Sequence, residues 1–143
     1  MILKPLIPTA LLHTHESCMA LCSVSAGFPS PADDYVEPSL DLNEYLIRHP
    51  AATFYVRVQG DSMKEAGISH GDLLIVDRSL EARDGQVIIA LLNGEFTVKR
   101  LRKQQGKLFL CPANPDYQPI EVAPEADFQV WGVVIHAIHP LVH

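Results

Sequence analysis

The sequence predicts a mainly β fold: a compact, folded or barrel-like sheet with a mobile N-terminal arm and one short helix. Three observations lead there. From Thr53 onward, short runs rich in Val, Ile, Leu and Phe are separated at close intervals by turns containing Gly, Pro, Asn or Asp, which is the punctuation of many short strands. Asn93-Gly94 lies between two of those runs and is the strongest short-range signal for a two-residue hairpin. Helical punctuation is clear only once, over residues 41–49.

In order, the chain divides into residues 1–26, 27–52 and 53–143. Residues 1–26 read as an apolar but irregular arm without a sustained helical or strand period, although residues 11–21 could form a short helix. An arm of that size buries no core of its own and needs a groove on its own domain or on a partner. Lys4 followed by apolar residues, with Val24-Ser25-Ala26 at the end, has the outline of a secretory signal. Pro5 and Pro8 interrupt it, however, and His13, His15 and Glu16 fall where the apolar run should be unbroken.

Ala26-Gly27-Phe28-Pro29-Ser30-Pro31-Ala32 is a linker. Each proline disfavours the helical region for the residue before it, and the extended backbone that results can pair as an added strand in a protease cleft. Over residues 41–49, Asp41 caps the first turn, Glu44 sits three residues on, Leu40 is placed to pack on Tyr45, and Pro50 ends the helix. Strands follow at residues 53–59, 73–77, 86–92, 95–101, 107–111 and 127–136. Turns at Gly67, Gly71, Asp84-Gly85, Gly106 and Pro112-Ala113-Asn114-Pro115 separate them.

A net charge of −6 argues against a basic face that grips nucleic acid, so no direct sequence-specific DNA binding is expected. Cys18, Cys22 and Cys111 are an odd number and fit a reducing, cytoplasmic setting better than a disulfide framework. No apolar run reaches the length of a membrane-spanning helix. His13, His15, Cys18 and Cys22 are metal-ligand types packed closely, but their spacing matches no standard structural zinc site. Neither a metal nor a cofactor is expected. His136, His139 and His143 read as strand-end and surface residues, Cys111 as a small core hydrophobe, and Trp131 as core or interface.

The chemistry centres on Ser62. It follows a strand and a glycine, so its hydroxyl is presented at a sharp bend, but a serine hydroxyl is a poor nucleophile until a base takes its proton. His70, with Asp72 and Asp77 nearby, is one candidate base, although Ser69-His70-Gly71-Asp72 has turn composition. Lys99 is the sharper one. A two-residue Asn93-Gly94 loop pairs Leu92 with Glu95, and counting outward sets Lys99 opposite Ile88, on the same side as Ala90 and Leu101. Apolar surroundings disfavour the ammonium form, which frees the amine to act as a base. Lys64, Lys103 and Lys107 lie in turn or charged contexts.

Gly60-Asp61-Ser62-Met63, Gly71-Asp72-Leu73-Leu74-Ile75-Val76-Asp77 and Gly94-Glu95-Phe96-Thr97-Val98-Lys99 resemble the LexA/UmuD family of self-cleaving Ser–Lys proteins. Residues 26–37 resemble the cleavage region of its UmuD branch, and residues 128–136 resemble the family's closing strand. The resemblance covers roughly residue 27 to the end, in the right order and spacing, and the combination is specific where Gly-x-Ser-Met alone would be weak. It implies a domain of the LexA/signal-peptidase type, with Ser62 as nucleophile and Lys99 as general base. The bond cut would be Ala26–Gly27, in the chain's own arm or a dimer partner's. The backbone N–H groups of Asp61 and Ser62 would be the oxyanion donors, and Met63 would line the cleft.

The residue types suit that cut: Ala26 is small, Gly27 lets the backbone enter a tight cleft, and Pro29 keeps the exit extended. The resemblance further implies a RecA filament on single-stranded DNA as the trigger after DNA damage. The product would be a homodimer serving a Y-family translesion polymerase catalytic subunit of the UmuC type. Two departures stand out. The UmuD branch often has a cysteine before the scissile bond, where this chain has Ala26, as in the repressor branch. The repressors carry a helix-turn-helix domain before that bond, and the 26 residues here are too few for one, so repression is not expected. Two rival readings fit the same residues: a signal-peptidase-like protease acting on other proteins, whose relatives are membrane-anchored, and a dimeric interaction module whose dyad is idle.

Overall fold

The computed structural model describes residues 2–8, 16–20 and 36–142. Ten strands and one α-helix run through them: β1 (Ile2–Pro8), β2 (Glu16–Ala20), β3 (Val36–Asp41), α1 (Leu42–Leu46), β4 (Thr53–Gln59), β5 (Leu73–Asp77), β6 (Val87–Leu92), β7 (Glu95–Gln104), β8 (Lys107–Cys111), β9 (Ile120–Val122) and β10 (Phe128–Ile138). Short 3₁₀ turns cover Pro50–Ala52 and Lys64–Ala66. The chain is mainly β, as its turn punctuation implies.

Two compact units divide it. One holds β1 together with the chain from His49 onward, and the other holds β2, β3 and α1. In the second unit, β2 and β3 pair antiparallel. Asp41 caps α1, its carboxylate accepting from the N–H of Asn43 at 3.0 Å and of Glu44 at 3.5 Å. The helix is shorter than the sequence pattern implies: it ends at Leu46, with Ile47 already extended at φ −120°. A single turn closed by one cap lacks the length to propagate.

The first unit is an antiparallel eight-stranded sheet in the order β1-β4-β5-β10-β6-β7-β8-β9. β1 also packs against β7, so the sheet curls back on itself. Its core lies in two clusters. Val56, Val58, Met63, Ile68, Leu74, Val76, Ile89 and Val98 form one, and Ile88, Ala90, Leu101, Leu110 and Val133 form the other. β10 joins the two halves, pairing with β6 through its first part and with β5 through its second. Its register shifts between Val130 and Gly132 on one side and between Val134 and His136 on the other; such bulges bend a strand that two differently directed neighbours share. Gly132 sits at this crossing, where an added Cβ would meet Val76 Cγ1 at 2.5 Å.

Some expectations need correcting. The arm is not wholly irregular, because β1 and β2 both fall inside residues 1–26. Cys111 is half-buried on β8 and not part of either core cluster. Trp131 packs against Phe54 and Phe96, with the Arg78 guanidinium 4.5 Å from its ring centroid. Among the described residues, no helix is long and apolar enough to cross a membrane.

Candidate active site

β4 delivers the chain to a bend. Gly60 has φ +91°, a left-handed conformation that glycine adopts without steric cost. Two residues later, Ser62 starts the turn that continues into Lys64–Ala66. Ser62 is fully buried, as is Met63 beside it. Met63 belongs to the first core cluster, so the residue after the nucleophile candidate is anchored by packing.

The hairpin supplies the second group. β6 and β7 pair in the register that Asn93-Gly94 dictates, with Ile88 opposite Lys99 and Ala90 opposite Thr97. Asn93 and Gly94 both take positive φ, 50° and 82°, as a primed two-residue turn requires. Lys99 is 5% exposed, and burial pushes its ammonium below the ordinary 10.5 because a desolvated site penalises the charged form.

Lys99 Nζ lies 3.4 Å from Ser62 Oγ, 2.8 Å from Thr97 Oγ1 and 3.2 Å from the Val98 carbonyl oxygen. A neutral amine has two N–H donors and one lone pair. Thr97 and Val98 can accept the two donors, which leaves the lone pair to face the Ser62 hydroxyl. The sheet's alternation puts Thr97 on the Lys99 side of β7, but nothing in the sequence alone marks its hydroxyl as a partner. An apolar cleft of about 290 Å3 opens beside the lysine, lined by Leu92, Phe96, Thr97, Tyr117 and Ile120.

His70 does not compete for the role of base. Its Nδ1 accepts the Gly60 N–H at 2.9 Å. The acids near it in sequence serve other histidines: Asp72 binds His139 Nδ1 at 2.6 Å, and Asp77 binds His49 Nδ1 at 2.6 Å. Lys64, Lys103 and Lys107 are exposed.

The loop after β8 braces the bend. The Ala113 N–H donates to the Ser62 carbonyl at 2.8 Å, and the Glu65 N–H donates back to the Ala113 carbonyl at 2.8 Å. Asn114 Nδ2 donates to the Asp61 carbonyl at 3.0 Å, and the Tyr117 hydroxyl to the Asp61 carboxylate at 2.8 Å. Sequence reading takes Pro112-Ala113-Asn114-Pro115 for a plain turn, because a turn asparagine and a bracing asparagine look alike until the fold brings the loop to Asp61. The backbone N–H groups of Asp61, Ser62 and Met63 donate to no described residue. Ala26, Gly27, His13, His15 and Cys22 lie outside the described residues, and Cys18 falls within β2. Among the described residues, no group of His, Cys, Asp and Glu is arranged to hold a metal ion.

A buried serine hydroxyl 3.4 Å from a desolvated lysine amine is geometry that a Ser–Lys hydrolase could use. The Peptidase S24-like model matches residues 19–135, and the chain belongs to that family. It is of the self-cleaving LexA/UmuD serine-protease type, on the UmuD-like branch. It is 49% identical to Protein SamA of Salmonella typhimurium, over 95% of this chain and 89% of that protein. It is 43% identical to Protein MucA of Escherichia coli, over 89% and 88%. It is also 43% identical to the LexA repressor of Bordetella parapertussis, over 80% of this chain and 53% of the repressor.

Proposed function

We propose that this UmuD-like SOS mutagenesis protein cuts its own chain between Ala26 and Gly27, with Ser62 as nucleophile and Lys99 as general base. The contact of 3.4 Å between Ser62 Oγ and Lys99 Nζ inside a desolvated site is the observation that carries the reading. The neutral Lys99 amine takes the Ser62 proton as Oγ bonds to the Ala26 carbonyl carbon. The oxyanion that forms is met by backbone N–H groups at the bend, those of Asp61 and Ser62. The intermediate collapses, the C–N bond breaks, and the Lys99 ammonium returns its proton to the Gly27 amine as it leaves. Water, deprotonated by the same lysine, then releases Ala26 from Ser62.

In this reading residues 1–26 are the removed arm, 27–52 a linker with the short helix, and 53–143 the peptidase-like body. A RecA filament on single-stranded DNA triggers the cut. The product from Gly27 onward acts as a homodimer with a Y-family, UmuC-like polymerase subunit. The self-cleaving family type favours this over a protease for other proteins.

The test is to incubate the purified chain at rising pH, with and without RecA, single-stranded DNA and a nucleotide, and to sequence the new N-terminus. Cutting should accelerate with alkalinity as Lys99 loses its proton, and Gly27 should be the new first residue. Unchanged cutting in Ser62→Ala or Lys99→Ala would remove the dyad, and a different N-terminus would remove the cut site.

A further inference from the structure

We infer that Asn114 is a positioning residue for the self-cleavage reaction, setting the direction of the backbone donors beside the nucleophile; this rests on Ser62 being that nucleophile. The argument is geometric. A peptide unit is planar and trans, so its C=O and N–H point in opposite directions. The Asp61 carbonyl and the Ser62 N–H belong to one such unit, and the Ser62 carbonyl and the Met63 N–H belong to the next. Asn114 Nδ2 holds the first carbonyl at 3.0 Å, and the Ala113 N–H holds the second at 2.8 Å. Both planes flanking Ser62 are therefore pinned from the side of the loop after β8. Their N–H groups point away from that loop and donate to no described residue.

Asn114 is built for this. It is 4% exposed, and a buried amide must have its hydrogen bonds satisfied. Its two ends do separate work: Oδ1 accepts the Asp116 N–H at 2.9 Å and keeps the loop folded, whereas Nδ2 reaches across to the bend. Tyr117 adds an outer clasp through its hydroxyl on the Asp61 carboxylate while lining the cleft beside Lys99. Without the Asn114 donor, the Asp61–Ser62 peptide is free to rotate, and the Ser62 N–H no longer waits where negative charge develops. Preorganised backbone donors act because they need no such reorganisation.

The separation of the two ends supplies the test. Asn114→Asp keeps the shape and the acceptor for Asp116 but removes the donor to Asp61. Self-cleavage of the full-length chain is followed from pH 7 to pH 10.5 in this variant, in wild type and in Ser62→Ala, with thermal midpoints measured alongside. The expected result is a plateau rate lower by roughly 10- to 100-fold; the new carboxylate favours the Lys99 ammonium and moves the midpoint of the pH–rate curve upward, so the plateau reads the role of Asn114. A wild-type rate in folded Asn114→Asp overturns the inference. So does a variant that is slow at neutral pH but reaches the wild-type plateau at high pH, because its loss then lies only in the protonation of Lys99. If Asn114→Asp does not fold, Asn114→Ser is measured in its place, and a wild-type rate in that folded variant overturns the inference equally. Ser62→Ala reports on the underlying reading: if it cuts at the wild-type rate, the nucleophile assignment falls. If it is inert while Asn114→Asp cuts normally, only the role of Asn114 falls.

Discussion

Replacing Lys99 by Met in a Ser62→Ala background, where the chain stays whole, separates the two consequences of burying an amine. Lys99 titrates below 10.5 in the folded state and near the ordinary lysine value when unfolded. Each unit of lowering is a folded-state penalty of about 1.4 kcal/mol while the group is charged. Between the two pKa values the unfolded chain holds more protons than the folded one, so stability rises with pH through that window. Below the folded pKa the whole penalty is present, and above 10.5 it is gone.

Met is close in volume and uncharged, so it carries no such penalty. It forfeits the amine's bonds to Thr97 Oγ1 and the Val98 carbonyl, at about 1 kcal/mol each. The Met chain should therefore compare best with its parent below the folded Lys99 pKa and lose ground from there up to pH 10.5. Urea midpoints by circular dichroism across that range read the difference directly, because every other titrating group is common to both chains. Parallel stability curves, or a Met chain that loses ground toward low pH instead, would refute the claim that Lys99 is desolvated.

Thr97→Val removes the acceptor 2.8 Å from Lys99 Nζ without changing shape. Self-cleavage should fall roughly tenfold or more as the amine loses its aim, while the thermal midpoint shows no loss of fold. Gly132→Ala should destabilise by about 1–3 kcal/mol in urea unfolding, since its Cβ would sit 2.5 Å from Val76 Cγ1. Pairing it with Val76→Ala should cost less than the sum of the two single changes. Burial alone would raise the Asp77 carboxyl, but hydrogen bonds from Ser79 and His49 outweigh it and hold Asp77 below 3.8. That stability is present above the unfolded pKa and lost as pH falls through the folded one. Ser79→Ala should therefore unfold at a higher pH than wild type in an acid titration, and the two should converge once Asp77 is protonated in both.

The register of Lys99 and the bend before Ser62 were legible because each rests on a local rule. Asn93-Gly94 fixes a register, and a register with period two fixes which face Lys99 occupies. Gly60 before Ser62 marks a bend whatever surrounds it. β4, β5 and β8 begin and end where their apolar runs do, since a run bounded by turn residues has no room to drift. Asn114 on Asp61 and β1 on β4 escaped because those contacts are distant in sequence; Thr97, only two residues from Lys99, escaped because no local rule marks its hydroxyl as a partner of the amine.

The β1 case has a physical reason that bears on function. Pro5 and Pro8 break the apolar period and lack an N–H to donate, and the pairing of β1 with β4 is correspondingly irregular between them. No local rule reads such a stretch as a strand. Yet it occupies the free edge of the strand that leads to Ser62 and packs on the strand that carries Lys99. The chain tethers this seven-residue strand to the sheet, which gives it a high effective concentration at that edge. The cut proposed between Ala26 and Gly27 would remove the tether and make the pairing bimolecular. The severed arm would carry both β1 and β2, so its release would require the pairings of β1 with β4 and of β2 with β3 both to be lost. In that order of events, the proposed cleavage would act on contacts: it would expose the β4 edge, a row of backbone donors and acceptors able to receive another strand.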